Sequence, residues 1–223
     1  MRRDAGRGVV NELMTAADVT QVSEDPLVTA SRRRILEAAE RLIGVHGIEK
    51  VRLRDIAREA GVSIGKIQHY FDNRDQVIEA MLGAASMRRV EEWATFANDI
   101  DDPATKMVSL LEHAITDRER CTVWLATTSV ASRNEQFIPD VARIYAAWRA
   151  KLVEVIDAGR RDGVFHPTAS ADEVADGIIC AIDGLMTAVA IALTDYTPER
   201  NTRMLRHVTG LLLGTRFEAE GDK

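Results

Sequence analysis

The sequence is poor in cysteine, proline and aromatic residues, and these shortages narrow what the protein can be. Two cysteines with no metal-ligand spacing around them exclude a disulfide scaffold and indicate free thiols in a reducing cytoplasm. The longest apolar run, residues 177–193, is interrupted by Asp183 and is too short for a membrane span. Residues 1–21 contain no apolar segment followed by a cleavage pattern, so no signal peptide is predicted. We therefore expect a cytoplasmic protein that has no membrane partner.

Recognisable catalytic motifs are missing from the sequence as well. The chain has no HExxH motif, no glycine-rich phosphate loop and no Cys/His nucleophile pair, so we predict no enzyme activity, no catalytic residue and no cofactor. His113, Asp117 and Cys121 are spaced at i, i+4 and i+8 and could in principle hold a metal. A predicted helix break near residues 118–120 would separate Cys121 from the other two, so no metal is expected.

Charge is distributed unevenly along the chain. The formal net charge is −6, yet residues 31–90 carry 12 Lys and Arg against 8 Asp and Glu. Residues 91–223 carry 14 against 22, and residues 1–30 carry 3 against 5. A basic segment in an otherwise acidic chain suggests local contact with a polyanion, while the acidic remainder limits non-specific attachment.

Helical signals repeat from Thr29 to the C-terminus without a period-two pattern, which predicts an all-α fold. Four helix starts carry capping patterns: Asn73 with Gln76, Asp102-Pro103, Ser170 with Glu173, and Thr197-Pro198. Nine helices are predicted, over residues 30–46, 53–60, 64–70, 74–97, 103–117, 121–132, 137–162, 171–194 and 198–217. The predicted organisation is a flexible N-terminal arm (1–28), a three-helix domain (29–75) and a larger helical domain (76–223), whose functions follow from the residues considered next.

Residues 53–72, LRDIAREAGVSIGKIQHYFD, predict a helix-turn-helix. Ala57 is small enough for the second helix to approach, and Gly61 can take the positive φ of a tight turn. Ser63 is placed to cap the second helix. The alternative is a structural hairpin inside a bundle, but such a hairpin rarely leaves its second helix so polar on the outward face. The wedge between the helices is filled by Ile56, Val62 and Ile67.

The outward face of the second helix carries groups suited to DNA. Gln68 can bond an adenine edge in two places, Lys66 can meet a phosphate or a guanine, and Gly65 lets the backbone approach closely. Tyr70 and His69 can donate to phosphate oxygens. Each surrounding arginine alone is an ordinary surface charge, but together they favour phosphate contact. These arginines are Arg32 and Arg33 in helix 1, Arg52 and Arg54 in helix 2, and Arg74 in helix 4.

Residues 32–82, with IAREAGVS followed by G-x-x-x-H-Y-F, resemble the DNA-binding domain of the TetR family. The GVS-x-G-x-x-Q-HYF variant resembles the BetI-like branch, and residues 124–186 resemble that branch's C-terminal domain more loosely. Gln68, Ile64 and Arg52 depart from the residues most common in the family, so the operator sequence does not transfer. The resemblance implies base contacts at Ile64, Gly65, Lys66, Gln68 and His69, and phosphate contacts at Arg52, Arg54, Ser63, Tyr70 and Arg74.

The last two helices are the expected dimer interface. Helix-turn-helix proteins read paired half-sites about 34 Å apart, which needs a two-fold dimer on palindromic operator DNA. By resemblance, the last two long helices of each subunit pair as a four-helix interface. The alternative is that helix 8 is deeply buried within a monomer. The interface residues predicted are Ile178, Ile182, Leu185, Val189, Leu205, Val208 and Leu212.

The aromatic residues concentrate in helices 4 to 7 and indicate an effector site. Aromatic and apolar walls suit a small, largely apolar ligand or an onium ion. The alternative is that these side chains simply fill the core; Trp124 and Trp148 are the preferred ligand contacts. The full predicted set is Trp93, Phe96, Met107, Leu111, Trp124, Thr128, Tyr145 and Trp148.

Together these features predict a sequence-specific transcriptional repressor that a small molecule releases from its operator. The ligand is expected to act by moving helix 4, which links the basic domain to the aromatic residues, and only through its different affinity for two states. Two alternatives stay open, a ligand-independent architectural DNA-binding protein and an activator.

Overall fold

The computed structural model describes residues 26–115 and 117–217. Within these ranges the chain is all-α and contains no strand, as predicted. Two short 3-10 helices, Ile48–Lys50 and Glu135–Phe137, accompany the α-helices. Residues 1–25 of the predicted arm lie outside the described residues. The α-helices are α1 (Pro26–His46), α2 (Leu53–Ala60), α3 (Ile64–Tyr70), α4 (Arg74–Thr95), α5 (Pro103–Ala114), α6 (Arg118–Ala131), α7 (Ile138–Arg161), α8 (Ala171–Ala190) and α9 (Pro198–Leu213).

Most boundaries match the prediction, and the differences have local causes. Helix α1 begins at Pro26, because proline is tolerated in a first helical turn. The predicted break near residues 118–120 is wrong. Asp117 accepts the backbone N–H of Arg120 at 2.7 Å and starts α6 at Arg118, three residues earlier than predicted. Helix α9 stops at Leu213, because Gly214 takes a left-handed φ of 63° and caps it.

Three of the four predicted helix starts are confirmed as written. The side chains of Asp102 and Thr197 each accept a first-turn N–H, and Ser170 forms a full capping box with Glu173. At the start of α4 the box is only half formed. Asn73 accepts the N–H of Gln76, but the Gln76 amide oxygen accepts from the backbone N–H of Asp72, one residue before the cap.

The apolar residues form two cores that share two helices. The first core joins α1, α2 and α3 to the N-terminal half of α4. The second joins the C-terminal end of α4, at Trp93, to α5, α7, α8 and α9. Helix α6 serves both, because Val123 and Ala126 pack in the first core while Trp124 packs in the second. The predicted boundary between residues 75 and 76 therefore does not separate the two cores.

The predicted dimer contacts differ in burial. The side chains of Ile178, Ile182 and Leu205 are fully buried in the core of their own subunit, and Leu185 is also buried, although Leu185 and Leu205 line an open groove between α8 and α9. The apolar pattern located the helices correctly, but most of the named residues lie on the inward face. Val189 and Leu212 are half-buried at the edge of this core, and Val208 is half-buried as well.

The outward faces of α8 and α9 carry other residues. Cys180, Gly184 and Thr187 are exposed on α8, and Leu211 on α9 is 71% exposed. No helix among the described residues combines the length and apolarity needed to cross a membrane.

Candidate functional site

The helix-turn-helix is built as the sequence predicts. Gly61 ends α2 with φ 64°, and its N–H is directed at the carbonyls of Ala57 and Arg58. Ile56 and Ile67 are fully buried between α2 and α3, which fixes how the two helices cross. Because the small Ala57 is itself buried at this contact, α3 can lie close to α2.

Helix α3 leaves its predicted base-reading face open to solvent. Ser63 is the N-cap, and its Oγ accepts the N–H of Lys66 at 3.1 Å. That bond still leaves the Ser63 hydroxyl proton free to donate to a phosphate. The exposed residues on and next to this helix are Ser63, Ile64, Gly65, Lys66, Gln68 and His69.

Tyr70 lies differently from the expectation. Its ring packs beneath the Lys66 ammonium, 5.1 Å from the ring centroid, and against His69. The Tyr70 hydroxyl is buried, with no hydrogen-bond partner among the described residues. In this conformation the hydroxyl cannot reach a phosphate, so the predicted contact at Tyr70 requires its side chain to move.

Arg74 is engaged inside the domain. Its Nε donates to the carbonyl of Val51 at 2.6 Å, and one terminal nitrogen donates to the carbonyl of Ile48. The other terminal nitrogen pairs with Asp75. These contacts tie α4 to the link between α1 and α2. The described geometry therefore gives Arg74 a structural role before any contact with DNA.

Four other arginines surround α3 with exposed side chains. Arg52 precedes α2 without a side-chain capping bond, and Arg54 lies in the first turn of that helix. In α1, Arg32 lies over the ring of Phe71 and Arg33 pairs with Glu37. These side chains and the free N–H groups at the start of α2 add positive charge to the elements next to the recognition helix.

Four of the predicted effector residues meet in a single aromatic cluster. The centroid of Trp148 lies 5.1 Å from that of Trp124, 5.8 Å from Tyr145 and 5.7 Å from Trp93. Trp124 and Tyr145 are 5.7 Å apart. The rings are tilted against one another, so α4, α6 and α7 meet through π surfaces.

Asp183 completes this cluster and was missed by the sequence reasoning, which treated it only as an interruption in the apolar α8. Trp124 Nε1 donates to its Oδ1 at 3.1 Å, and the Tyr145 hydroxyl donates to its Oδ2. Burial raises the pKa of Asp183, while these two hydrogen bonds act in the opposite direction. The feature of the sequence that could have identified Asp183 is its position as a single carboxylate between the apolar residues Ile182 and Leu185.

We call Trp124, Tyr145, Trp148 and Asp183 the cage. Burial and the bond to Asp183 raise the pKa of the Tyr145 phenol, which keeps its proton on the oxygen as a donor. No Lys, Arg or His side chain among the described residues forms an ion pair with Asp183. The cage therefore presents a carboxylate without a counter-ion, next to aromatic faces.

The other predicted effector residues make different contacts. Met107 and Leu111 are buried core residues of α5. Phe96 stacks on His113 with a centroid distance of 3.9 Å, and Thr128 donates to backbone carbonyls of its own helix. No three His, Cys, Asp or Glu side chains within the described ranges are grouped as a metal would require.

The comparisons with known proteins match both halves of the chain. Residues 35–81 match the family described as bacterial regulatory proteins, tetR family, and residues 104–214 match the BetI-type transcriptional repressor C-terminal family. The regulator BetI of Agrobacterium fabrum is 30% identical over 172 residues, covering 69% of this chain and 74% of that protein. The regulator PksA of Bacillus subtilis is 26% identical over 193 residues, covering 81% and 89%.

A solved structure of similar fold carries a ligand. A transcriptional regulator from Saccharomonospora viridis, crystallised in complex with choline, superimposes with a TM-score of 0.73 at 27% identity. The match covers 80% of this chain and 95% of that one.

Proposed function

This chain belongs to the TetR family of bacterial transcriptional regulators, in its BetI-type branch, and on that premise we propose that its effector is a small organic cation bound in the cage. The protein is a ligand-responsive, DNA-binding repressor. The observation that carries the proposal about its effector is the uncompensated carboxylate of Asp183 between Trp124 and Tyr145.

A cation would supply what the cage lacks. A half-buried carboxylate without a counter-ion is costly, and an ammonium group next to it restores neutrality. Each aromatic face over a desolvated cation adds about 0.5–2 kcal/mol of attraction. A quaternary ammonium fits best, because its methyl groups contact the rings and it has no N–H group that must be satisfied. Choline, the ligand of the Saccharomonospora viridis relative, belongs to this class.

Binding requires the rings to separate. Trp124 and Trp148 are only 5.1 Å apart at their centroids, so a ligand between them must displace α6 from α7. A ligand shifts a protein between states only by binding one of them better. The open cage is then the ligand-bound state, and the packed cage described above is the free state.

Helix α6 offers a direct route from the cage to the DNA-binding core. Trp124 faces the cage, while Val123 and Ala126 pack among the residues of α1 and α4. Arg120, near the start of α6, pairs with Glu92 of α4 at 2.9 Å, and its carbonyl accepts from Arg89. We therefore extend the expected movement of α4 to include α6, since a shift of α6 displaces α1 and α4 together.

Operator binding uses the exposed face of α3 and the arginines around it. We infer base contacts at Lys66, Gln68 and His69, with Ile64 and Gly65 close to the bases. We infer phosphate contacts at Ser63 and at Arg32, Arg33, Arg52 and Arg54. Two such faces read a palindromic operator when the outward sides of α8 and α9 pair two subunits.

We also infer that the chain works in the cytoplasm without catalysis or a cofactor. Residues 61–65, GVSIG, have the letters of a nucleophile elbow, which requires its serine at a sharp strand-to-helix turn. Here Ser63 lies between α2 and α3, and its hydroxyl caps α3. A catalytic role for Ser63 therefore has no support in the geometry.

The test is calorimetric titration of the full-length protein with choline, together with an operator-binding assay. Wild-type protein should bind choline and release operator DNA. Asp183→Asn should weaken choline binding at least about tenfold, equivalent to 1.4 kcal/mol. Asp176→Asn is the matched control, because it removes an equal charge from the same helix at an exposed position paired with Arg149.

The outcomes separate the alternatives. Equal choline affinity in wild type and Asp183→Asn would refute the cage. Operator binding that choline leaves unchanged would favour the architectural protein, and choline-dependent operator binding would favour an activator.

A further inference from the structure

Trp148 has a buried donor that nothing in the described structure uses. Its side chain is 2% exposed, and its Nε1 has no hydrogen-bond partner among the described residues. The neighbouring Trp124 differs, since its Nε1 donates to Asp183. A buried donor left without an acceptor costs about 1–3 kcal/mol, so its presence in a well-packed core requires an explanation.

The position of Trp148 links this donor to the cage. Its ring contacts Trp124 and Tyr145, the two residues that hold Asp183, and on another side it contacts Trp93. The ring that carries this donor therefore belongs to the wall that a cation next to Asp183 would touch. A phenylalanine in this place would also offer an aromatic face and would leave no orphan N–H, so contact between rings does not by itself require the indole.

His113 offers a second unpartnered nitrogen, but it lies further from the carboxylate. Its buried Nε2 has no partner among the described residues, and its ring contacts Trp93 and Phe96, not Trp124 or Tyr145. Trp93 stands between His113 and Trp148 in the chain of ring contacts. Of these two residues, only Trp148 belongs to the cage.

We propose that the Trp148 indole N–H donates a hydrogen bond to an oxygen of the effector, and that Trp148 makes the site specific for organic cations carrying such an oxygen. This inference rests on the proposed function. Asp183 and the rings bind the cationic group, and Trp148 selects the cations that also carry an oxygen able to accept its hydrogen bond. Cations in which a methyl group replaces the oxygen leave the donor buried and unsatisfied, and are rejected for that reason.

The experiment compares choline with propyltrimethylammonium, in which a methyl group replaces the hydroxyl. Wild-type protein should prefer choline by on the order of tenfold, the effect of one satisfied hydrogen bond. Trp148→Phe should lower the affinity for choline by about that factor more than the affinity for propyltrimethylammonium, because both cations lose the same ring contact but only choline loses a hydrogen bond, so the preference disappears. Trp93→Phe is the matched control, because it makes the same change in the adjoining ring and should keep the preference.

A second measurement uses the wild-type chain and does not depend on how a variant folds. Each of the three tryptophans gives one indole N–H signal in a ¹⁵N correlation spectrum. Choline should move the Trp148 proton signal downfield, as a new hydrogen bond does, and propyltrimethylammonium should not. The proposal is overturned if both cations shift this signal alike, or if Trp148→Phe weakens both equally. Binding of neither cation to wild-type protein would overturn the proposed function itself, and this assignment with it.

Discussion

Gly44 in α1 and Glu119 in α6 lie so close that a Cβ atom added to Gly44 would stand 2.9 Å from the Cβ of Glu119. Real Cβ atoms essentially never show such a separation. Glu119 lies in the first turn of α6, the helix that also carries Trp124. The DNA-binding core thus directly contacts the helix that would move when the cage opens.

We predict that Gly44→Ala forces α1 and α6 apart. The added methyl group should reduce the free energy of unfolding by about 1–3 kcal/mol and weaken operator binding in the absence of effector. Urea unfolding and a DNA-binding titration measure the two effects. Gly83→Ala is the control, because its added Cβ would lie at an ordinary 3.6 Å from Asp140 Oδ2. That change in α4 should be neutral or stabilising by up to about 1 kcal/mol. Equal behaviour of the two variants would show that the α1–α6 contact is not tight.

Choline affinity should depend on pH through Asp183. Burial raises the pKa of this carboxyl, so its charge is lost at a higher pH than for an ordinary aspartate. Only the ionised form attracts a cation, so affinity is full above the raised pKa. As pH falls through the pKa, affinity should drop by up to about tenfold per pH unit.

Calorimetry between pH 7.5 and 4.5 would measure this dependence. Asp183→Asn should bind weakly at every pH without the corresponding slope. A slope that survives in this variant would have to come from another group, such as His113, whose pKa burial lowers.

Base recognition and contact with the DNA phosphates should differ in the salt slope, the change of log affinity with log salt concentration. Gln68→Ala should cost about 1–3 kcal/mol of binding free energy on the preferred operator and relax the choice of one base pair, without changing the salt slope. Arg54→Ala should weaken binding to all sequences and reduce the salt slope by about one. An operator selected from genomic fragments, titrated at several salt concentrations, provides both numbers. If Gln68→Ala weakened all sequences equally, the glutamine would not be reading a base.

Arg74 should behave as a structural residue. Arg74→Ala removes donors from the carbonyls of Val51 and Ile48 and should lower the free energy of unfolding by about 1–3 kcal/mol. Chemical denaturation measures this loss, and Arg54→Ala serves as the exposed arginine for comparison. A variant of full stability whose operator salt slope falls by one unit would instead identify Arg74 as a phosphate contact.

Much of the fold could be predicted because it is decided by short-range chemistry. The bounds of α2 and α3 follow from Gly61, which needs a left-handed turn, and from Ser63, which satisfies a free N–H of the next helix. The start of α6 was misplaced because Asp117 and the residues around it suit either a helix end or a helix start. Contacts between residues only a few positions apart can therefore be predicted from the sequence.

The cage could be predicted only in part. The concentration of aromatic residues in predicted helices 4 to 7 pointed to Trp124 and Trp148, yet nothing in the order of residues places Asp183 beside them. Trp124 and Asp183 are 59 residues apart in the sequence, and they meet only because α6 packs on α8. The same limit applied to α8 and α9: periodicity identified apolar helices, but which side faces the core depends on their neighbours.

The sequence by itself therefore determined an all-helical regulator with a helix-turn-helix at residues 53–72, because helix periodicity, caps and turn glycines act locally. The tertiary packing decided that Asp183 meets Trp124 and Tyr145, that Trp148 keeps an unused donor, and that Arg74 and Tyr70 turn inward. Burial, pairing and charge compensation are properties of groups brought together from distant parts of the chain, so they exist only once the helices have packed.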